Sequence, residues 1–410
     1  MYESLDKIYY KDQQEYQKIY KERFRSLQTR HLDFQIGNSS AFFVESPKVT
    51  ELVYAILKND KKIALLCKDL PTLALQQYSK KCLIDEIVLT NDIEGVYSSR
   101  KEIGEALSIL ESQSKEKGKG NRFLGLVNKY YRLSKNEEVP LKNCQDIRNI
   151  YDEIVLKEVV SENRKNKPDG KIFRKEISEI AAATGKVIHK GLYPEEAIIS
   201  AMEKALAFLH DPSLNPLYAS CIFHYLLEYI HPFYDGNGRL GRFIFSYNTS
   251  RELEPLLAHR ISETISENIR QYYDAFSTCN HRNSLGDLTP FLIMMLGMVK
   301  RSSDDLADSL LERLSIYEKI KKELYALEEC RNDEKNRNLY VILSQIALFG
   351  EGGITMENLM KLEGVSYNTM LSRLRIARNR DPLYEKRNGK QKTYSANLVV
   401  LNKLLEKSRK

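Results

Sequence analysis

The chain has 410 residues, 42% of them hydrophobic and 29% charged, a length that exceeds one ordinary core and calls for two or three domains. Its 63 Lys and Arg against 56 Asp and Glu leave a net charge of +7, which excludes neither protein nor nucleic acid as a partner but excludes a disordered polyelectrolyte. The six cysteines (Cys67, Cys82, Cys144, Cys221, Cys279, Cys330) show no CxxC and no zinc spacing, so they read as reduced, mostly buried thiols of a cytosolic protein.

The N-terminus, "MYESLDKIYYKDQQEY", lacks an apolar signal region. Helical periodicity then marks segments near 50–90, 100–115 and 142–158. The stretch "LIDEIVLTNDIEGVYSSR" at 83–100 places Thr90, Glu94 and Gly95 at a helix end. Read alone, an acid before Gly at such a place is a solvated helix terminus. "SENRKNKPDG" is an exposed loop. "KIFRKEISEIAAATGKVIHKGL" (171–192) sets two short β-prone runs around a small-residue and Gly turn, a hairpin inside a helical domain.

Helices are expected again near 194–209 and over 216–230, where Ile222, Phe223, Leu226, Leu227 and Ile230 form a core-facing stripe. Others follow near 262–278 and 288–300. The longest apolar run, "FLIMMLGMV" at 291–299, is far short of the roughly 20 residues needed to cross a bilayer, and a cytoplasmic location is expected. A helix over 302–329 begins with serines and two acids. Its Leu310, Tyr317 and Leu324 suit either a short coiled seam or packing on the preceding domain. "RNDEKNRN" (331–338) reads as a linker. From 339, three short helices and two strands joined at Asn388-Gly389 predict a winged helix-turn-helix.

The densest chemistry lies in "IHPFYDGNGRLGRF" (230–243). Gly236-Asn237-Gly238 lets successive N–H groups face one concavity, and the helix predicted from Arg239 to Tyr247 adds its positive end. Together they suit a phosphate. Arg239 and Arg242, three apart, supply charge to further phosphate oxygens. Asp235 is badly placed against an anion unless a cation bridges the two, and Mg²⁺ suits that oxygen-rich setting. His231 can accept a proton from an incoming hydroxyl, and Phe233 is an apolar anchor.

"HPFYDGNGRLGR" resembles the signature of the Fic family, His-x-Phe-x-Asp/Glu-Gly-Asn-Gly-Arg-x-x-Arg, with every defined position filled. The resemblance implies a mainly α protein with a Fic-fold helical core and a hairpin flap that clamps a target as an added strand. It implies a protein adenylyltransferase that moves AMP from ATP to a Ser, Thr or Tyr hydroxyl of a target or of itself. His231 would be the general base, Asp235 would hold Mg²⁺, Gly236, Asn237 and Gly238 would bind the α- and β-phosphates, and Arg239 and Arg242 the outer phosphates. "ENIRQYYDAF" (267–276) is similar to the segment that closes the adenine side, so Tyr272 and Tyr273 are either contacts there or core aromatics.

Thr90-x-x-x-Glu94-Gly95 resembles the family's inhibitory helix, in which Glu94 would pair with Arg242 and take it from the γ-phosphate. The same Glu could orient a water that removes AMP. Related proteins move UMP, phosphocholine or phosphate instead. In a second class of reading, a DNA-binding regulator uses the core only to sense nucleotide. Eight cations in the tail (Arg373, Arg375, Arg378, Arg380, Lys386, Arg387, Lys390, Lys392) face two acids, Asp381 and Glu385, which suits DNA phosphate or a protein-docking face. The expected organisation is a helical N-terminal region with the inhibitory motif (1–115), a catalytic core (116–300), a connecting helix and linker (301–338) and a winged helix (339–410). The architecture resembles that of bacterial members, and a homodimer is a further partner it admits.

Overall fold

The computed structural model describes residues 2–111, 121–181, 187–379, 382–388 and 391–407. They group into two units, 1–61 with 83–304 and 62–82 with 305–410. The division falls within three long helices named below.

In the first unit, α1 (Leu5–Lys11) and α2 (Gln13–Arg25) are separated by Asp12, whose carboxylate accepts from Gln14 and Glu15 N–H and so caps α2. The antiparallel hairpin of β1 (Thr29–Ile36) and β2 (Ser39–Val44) follows. Leu5, Ile8 and Tyr16 pack on Phe42 and Val44. The N-terminal region, expected to be helical, therefore also contains a β-ribbon. Leu32, Phe34 and Ile36 alternate inward along β1, and Gly37, at φ 58°, opens the turn.

Next come α3 (Pro47–Asp69), α4 (Thr72–Ile93), α5 (Arg100–Glu111), α6 (Leu124–Ser134) and α7 (Cys144–Tyr151), the last begun by a reciprocal Asn143–Asp146 capping box. A π-helical turn at Asp152–Leu156 leads into α8 (Lys157–Glu162). The expected hairpin is shorter than its sequence suggested: β3 (Glu179–Ala181) pairs with β4 (Val187–Lys190), and 171–178 forms an irregular leg. The small-residue turn at 182–186 lies outside the described residues. Then come α9 (Glu195–Leu209), α10 (Pro216–Ile230), α11 (Asn237–Glu252), α12 (Ile261–Glu267) and α13 (Ile269–Asn280). Asn215 caps α10 and Pro216 occupies its first turn, where a missing N–H costs nothing. Along α10 only Pro216, Glu228 and Tyr229 escape full burial.

The helix expected to start at 302 does not start there. A single 35-residue helix, α14 (Thr289–Glu323), runs through Ser302 and Ser303. Both serines are buried. Ser303 Oγ donates back to Lys300 O at 2.7 Å, the local bond that lets a hydroxyl sit inside a helix. The division into units cuts α3, α4 and α14.

In the second unit, α15 (Glu328–Arg331) is followed by α16 (Glu334–Phe349), so the expected linker shrinks to two residues because Asp333 accepts from Lys335 and Asn336 N–H and starts the helix. After them come β5 (Ile354–Thr355), α17 (Met356–Glu363), α18 (Tyr367–Asn379), β6 (Leu383–Asn388), β7 (Gln391–Ala396) and α19 (Leu398–Lys407). The strands form one antiparallel sheet in the order β5-β7-β6. Gly389 of the expected Asn-Gly turn, with Lys390, Arg380 and Asp381, lies outside the described residues. All six cysteines are buried. No helix among the described residues is long and apolar enough to cross a membrane.

Candidate active site

The site is built where α10 stops and α11 starts. His231 caps α10 in the left-handed conformation, φ 53°, with its N–H on Leu227 O at 2.9 Å, a strained position for a residue with a Cβ. Pro232 then prevents the helix from continuing. Phe233 is fully buried and stacks on Tyr151, ring centroids 3.6 Å apart. Asn237 braces the loop reciprocally: its Oδ1 accepts from Phe233 N–H at 3.0 Å and its Nδ2 donates to Phe233 O at 2.9 Å. Gly236, at φ 81°, begins α11. A Cβ there would also press on Val155 of the π-helical turn.

Asp235 Oδ1 accepts from Gly236 N–H at 2.5 Å, and Asn166 Nδ2 donates to Oδ2 at 3.4 Å. Arg239 is buried and paired with the equally buried Glu158 of α8. In this structure its charge is therefore spent inside the protein rather than offered at the turn. Arg242 is also buried. Its Nε donates to Thr90 Oγ1 at 2.8 Å, and its Nη2 meets both Thr90 O at 2.9 Å and Glu94 Oε1 at 2.8 Å. Burial opposes the charge on Arg242, but Glu94 and, beyond it, Tyr272 and Glu228 outweigh burial and hold the guanidinium above its ordinary value. The Glu94 carboxylate lies directly over the turn, since a Cβ on Gly238 would collide with its Oε1.

The end of α4 aims that carboxylate. Gly95, at φ 70°, sends its N–H to Asp92 O, and Val96 sends its own to Asn91 O, the paired bonds of a Schellman cap. Burial first, then His189 and Arg174, push the His231 imidazole down to about 3, so the ring is neutral at pH 7. Its Nδ1 is buried without a hydrogen-bond partner among the described residues.

Tyr272 is buried and its hydroxyl meets His224 Nε2 at 2.7 Å, whereas Tyr273 is 48% exposed and packs edge-on against it. Both tyrosines feel the charges of Arg242 and Glu94. The structure thus gathers Thr90, Glu94, Gly95, His231, Asp235, Gly236, Asn237, Gly238 and Arg242 at one turn, and leaves Arg239 beneath it.

Three groups escaped the sequence reading. His224 and Glu228, four apart on α10, both crowd Gly241, which has no room for a Cβ. Burial, reinforced by Glu94, pushes the Glu228 carboxyl up to about 8. Glu86 is buried on Ser262, its oxygens 2.8 Å from the N–H and 2.6 Å from Oγ. The one signal was a polar residue inside an apolar stripe, which says nothing about what it faces.

Residues 141–248 match the model of the Fic/DOC family. The chain is similar to protein adenylyltransferase fic-1 of Caenorhabditis elegans, 26% identical over 300 residues that cover 68% of this chain and 54% of that protein. It is similar also to protein adenylyltransferase Fic of Nematostella vectensis, 31% identical over 129 residues, 31% of this chain and 27% of that one. The chain spans about half the length, or less, of these curated relatives. A solved Fic family protein from Desulfovibrio desulfuricans G20 shares the fold at a TM-score of 0.50 and 21% identity, covering 86% of this chain and 96% of that one. The matched span holds the flap, α10, the turn and the first three-quarters of α11, and this helical chain therefore carries a domain of the Fic/DOC family.

Proposed function

We propose that the protein transfers AMP from ATP to a hydroxyl side chain of a target protein, or of itself, and that Glu94 holds the reaction in check. One observation carries this reading: Arg242, the outer cation of the turn, is occupied by Glu94 and Thr90 directly over Gly238. In the reaction the hydroxyl oxygen forms a bond to the α-phosphorus, the α–β phosphoanhydride bond breaks, and pyrophosphate leaves. The hydroxyl proton passes to His231, whose ring is kept neutral by burial.

Gly236, Asn237 and Gly238 at the start of α11 receive the inner phosphates, and Arg242, once released, the γ-phosphate. Tyr273, half-exposed beside Tyr272, is the candidate for the adenine side. Asp235 is the one carboxylate on the turn and among the described residues belongs to no ready-made metal cluster. That fits Mg²⁺, which takes one or two carboxylates and draws its other ligands from phosphate and water. There the ion would neutralise phosphate charge. Arg239, proposed with Arg242 for the outer phosphates, is held beneath the turn by Glu158 and would reach phosphate only on leaving that partner.

In this reading the chain is organised as an N-terminal region with the inhibitory motif (1–115), a catalytic core (116–300), a connecting helix and linker (301–338) and a winged helix (339–410). Its α16, α17, α18 and β5-β7-β6 sheet supply the needed elements. Arg373, Arg378 and Lys392 of its basic face are paired with Glu363 and Glu385, while Arg375, Lys386 and Arg387 are exposed and suit DNA phosphate.

The test is self-labelling with ATP radiolabelled at the α-phosphate, comparing wild type, Glu94→Gly and Glu94→Gly/His231→Ala. Label that rises in the first variant and disappears in the second is expected. Labelling in the double variant above about a tenth of its parent overturns the base, given the roughly 10²–10⁴-fold worth of such catalysis. No label in any form, with ATP bound, turns the reading to UMP, phosphocholine or phosphate donors. After those, it turns to a nucleotide-sensing DNA-binding regulator, in which His231→Ala leaves DNA binding unchanged.

A further inference from the structure

The last turn of a helix leaves its carbonyls without partners inside the helix. Where α10 ends, the carbonyls of its last two residues and of His231 and Pro232 just beyond it all meet donors from the flap. Tyr229 O lies 2.7 Å from His189 Nε2 of β4, and Ile230 O accepts from Leu192 N–H at 3.1 Å. His231 O accepts from Arg174 Nε at 2.9 Å and Pro232 O from Arg174 N–H at 3.2 Å.

Arg174 thus supplies two of the four donors, both beside the left-handed His231 peptide. Its other guanidinium nitrogens reach the two legs of the flap, Nη1 donating to Glu176 O at 2.6 Å and Nη2 to Leu192 O at 2.8 Å. The side chain is fully buried and makes no ion pair among the described residues, so all three of its guanidinium nitrogens are satisfied by main-chain carbonyls. A buried guanidinium is expensive unless it is fully bonded, and a helix C-terminus is a favourable place for a cation.

The surroundings are shaped to it. Gly191 cannot carry a Cβ, which would collide with Arg174 Nη2 and lie 2.9 Å from His231 Cβ. The leg that bears Arg174 is held in turn by Glu195, whose carboxylate accepts from Lys171, Ile172 and Phe173 N–H at 2.8–2.9 Å. A planar three-nitrogen fork is what this geometry uses, and an ammonium cannot replace it.

We infer that Arg174 is a positioning residue of the transfer reaction: its guanidinium fastens the His231 peptide to both legs of the flap, so that a target segment docked on the flap and the aim of His231 are set by one contact. The inference rests on the reading of His231 as base and of the flap as target clamp. It assigns Arg174 no contact with substrate.

The test uses the full chain in the Glu94→Gly background, with Arg174→Lys and Arg174→Ala. Single-turnover self-labelling at saturating ATP is measured beside the affinity for a fluorescent ATP analogue. In Arg174→Lys the labelling rate is expected to fall about 100-fold while analogue affinity stays within about threefold, the split of a misaimed base in an intact nucleotide site. In Arg174→Ala, guanidinium chloride well below denaturing concentration is expected to restore about tenfold, and ammonium chloride of equal ionic strength to restore nothing.

Labelling by Arg174→Lys within about threefold of its parent overturns the inference, as do a matching loss of analogue affinity and recovery that does not distinguish guanidinium from ammonium. If the Glu94→Gly parent itself does not label, the transfer reading fails, and the inference is judged without activity. Exchange of the Gly191 and Leu192 amides and the NMR titration of His231 should then shift in Arg174→Lys and return with guanidinium in Arg174→Ala. Their constancy overturns it.

Discussion

Arg242 is held by three acceptors, and they are not equivalent. Glu94 provides charge on one nitrogen, while Thr90 provides a hydroxyl to Nε and a carbonyl to Nη2. Removing only the hydroxyl, by Thr90→Val, leaves Nε buried without an acceptor, which costs about 1–3 kcal/mol of stability. The charge pair survives that change. Thr90→Val is therefore expected to lower the unfolding free energy by this amount and to raise self-labelling, but by less than Glu94→Gly does. Denaturant titration and the labelling assay check the two halves, and labelling equal to that of Glu94→Gly would make the hydroxyl, not the carboxylate, the brake. These residues were legible because their chemistry depends on residue types at fixed short spacings. Arg239 shows the limit. Its letter fits phosphate, but its partner Glu158 comes from a helix about 80 residues away, and only the fold reveals that the two charges meet in the interior. His224 and Glu228 were illegible for the same reason, since what they crowd is Gly241 on α11.

At the scale of elements, the end of α4 decides where the Glu94 carboxylate sits. Gly95 has open space around its missing Cβ, so any cost of a substitution there comes from its φ of 70° alone. Gly95→Ala is expected to cost about 1–2 kcal/mol, the penalty of the left-handed conformation. Gly95→Asn should cost less, because Asn tolerates this conformation. Both should loosen the cap and raise labelling in the same order as they destabilise. Thermal unfolding with the labelling assay tests this, and an Ala variant as stable as wild type would contradict the cap. The same physics explains which elements the sequence disclosed. α10 and α11 are bounded by Asn, Pro and Gly signals and could be read, as could the existence of a flap. The β1–β2 ribbon carried an alternating pattern that a helical expectation overran. The start of α14 was misplaced because Ser302 and Ser303 have the letters of a cap, whereas the buried surface on both sides of them keeps the helix going.

At the scale of the molecule, the buried ionisable groups of the first unit set opposing limits on stability. Burial holds His224 and His231 at about 3 and His259 at about 4, below the 6.5 of an exposed ring. Below pH 6.5 the unfolded chain takes up protons that the folded unit refuses, so this stability is lost as pH falls toward those values. Burial raises Glu86 to about 7 and Glu228 to about 8, above an ordinary 4.5. Their sign is opposite: the folded unit keeps protons the unfolded chain has released, and stability is lost as pH climbs from 4.5 through those values. Between 4.5 and 6.5 three histidines work against two carboxyls, and the one proton left over makes stability rise with pH by about 1.4 kcal/mol per unit. Below 4.5 only the histidines act, and from 6.5 to 8 only the carboxyls. A steep acid limb, a gentler rise to a maximum near pH 6.5 and a falling alkaline limb are therefore expected in urea unfolding followed by circular dichroism. His259→Leu should flatten the acid limb and Glu228→Gln the alkaline one, each by up to about 1.4 kcal/mol per pH unit, the value of one proton. Neither residue touches the reacting atoms, so each variant reads the linkage without disturbing the base. An acid limb unchanged in His259→Leu would mean that its ring is protonated in the folded protein, and an alkaline limb unchanged in Glu228→Gln would mean that Glu228 is ionised beside Arg242 at neutral pH.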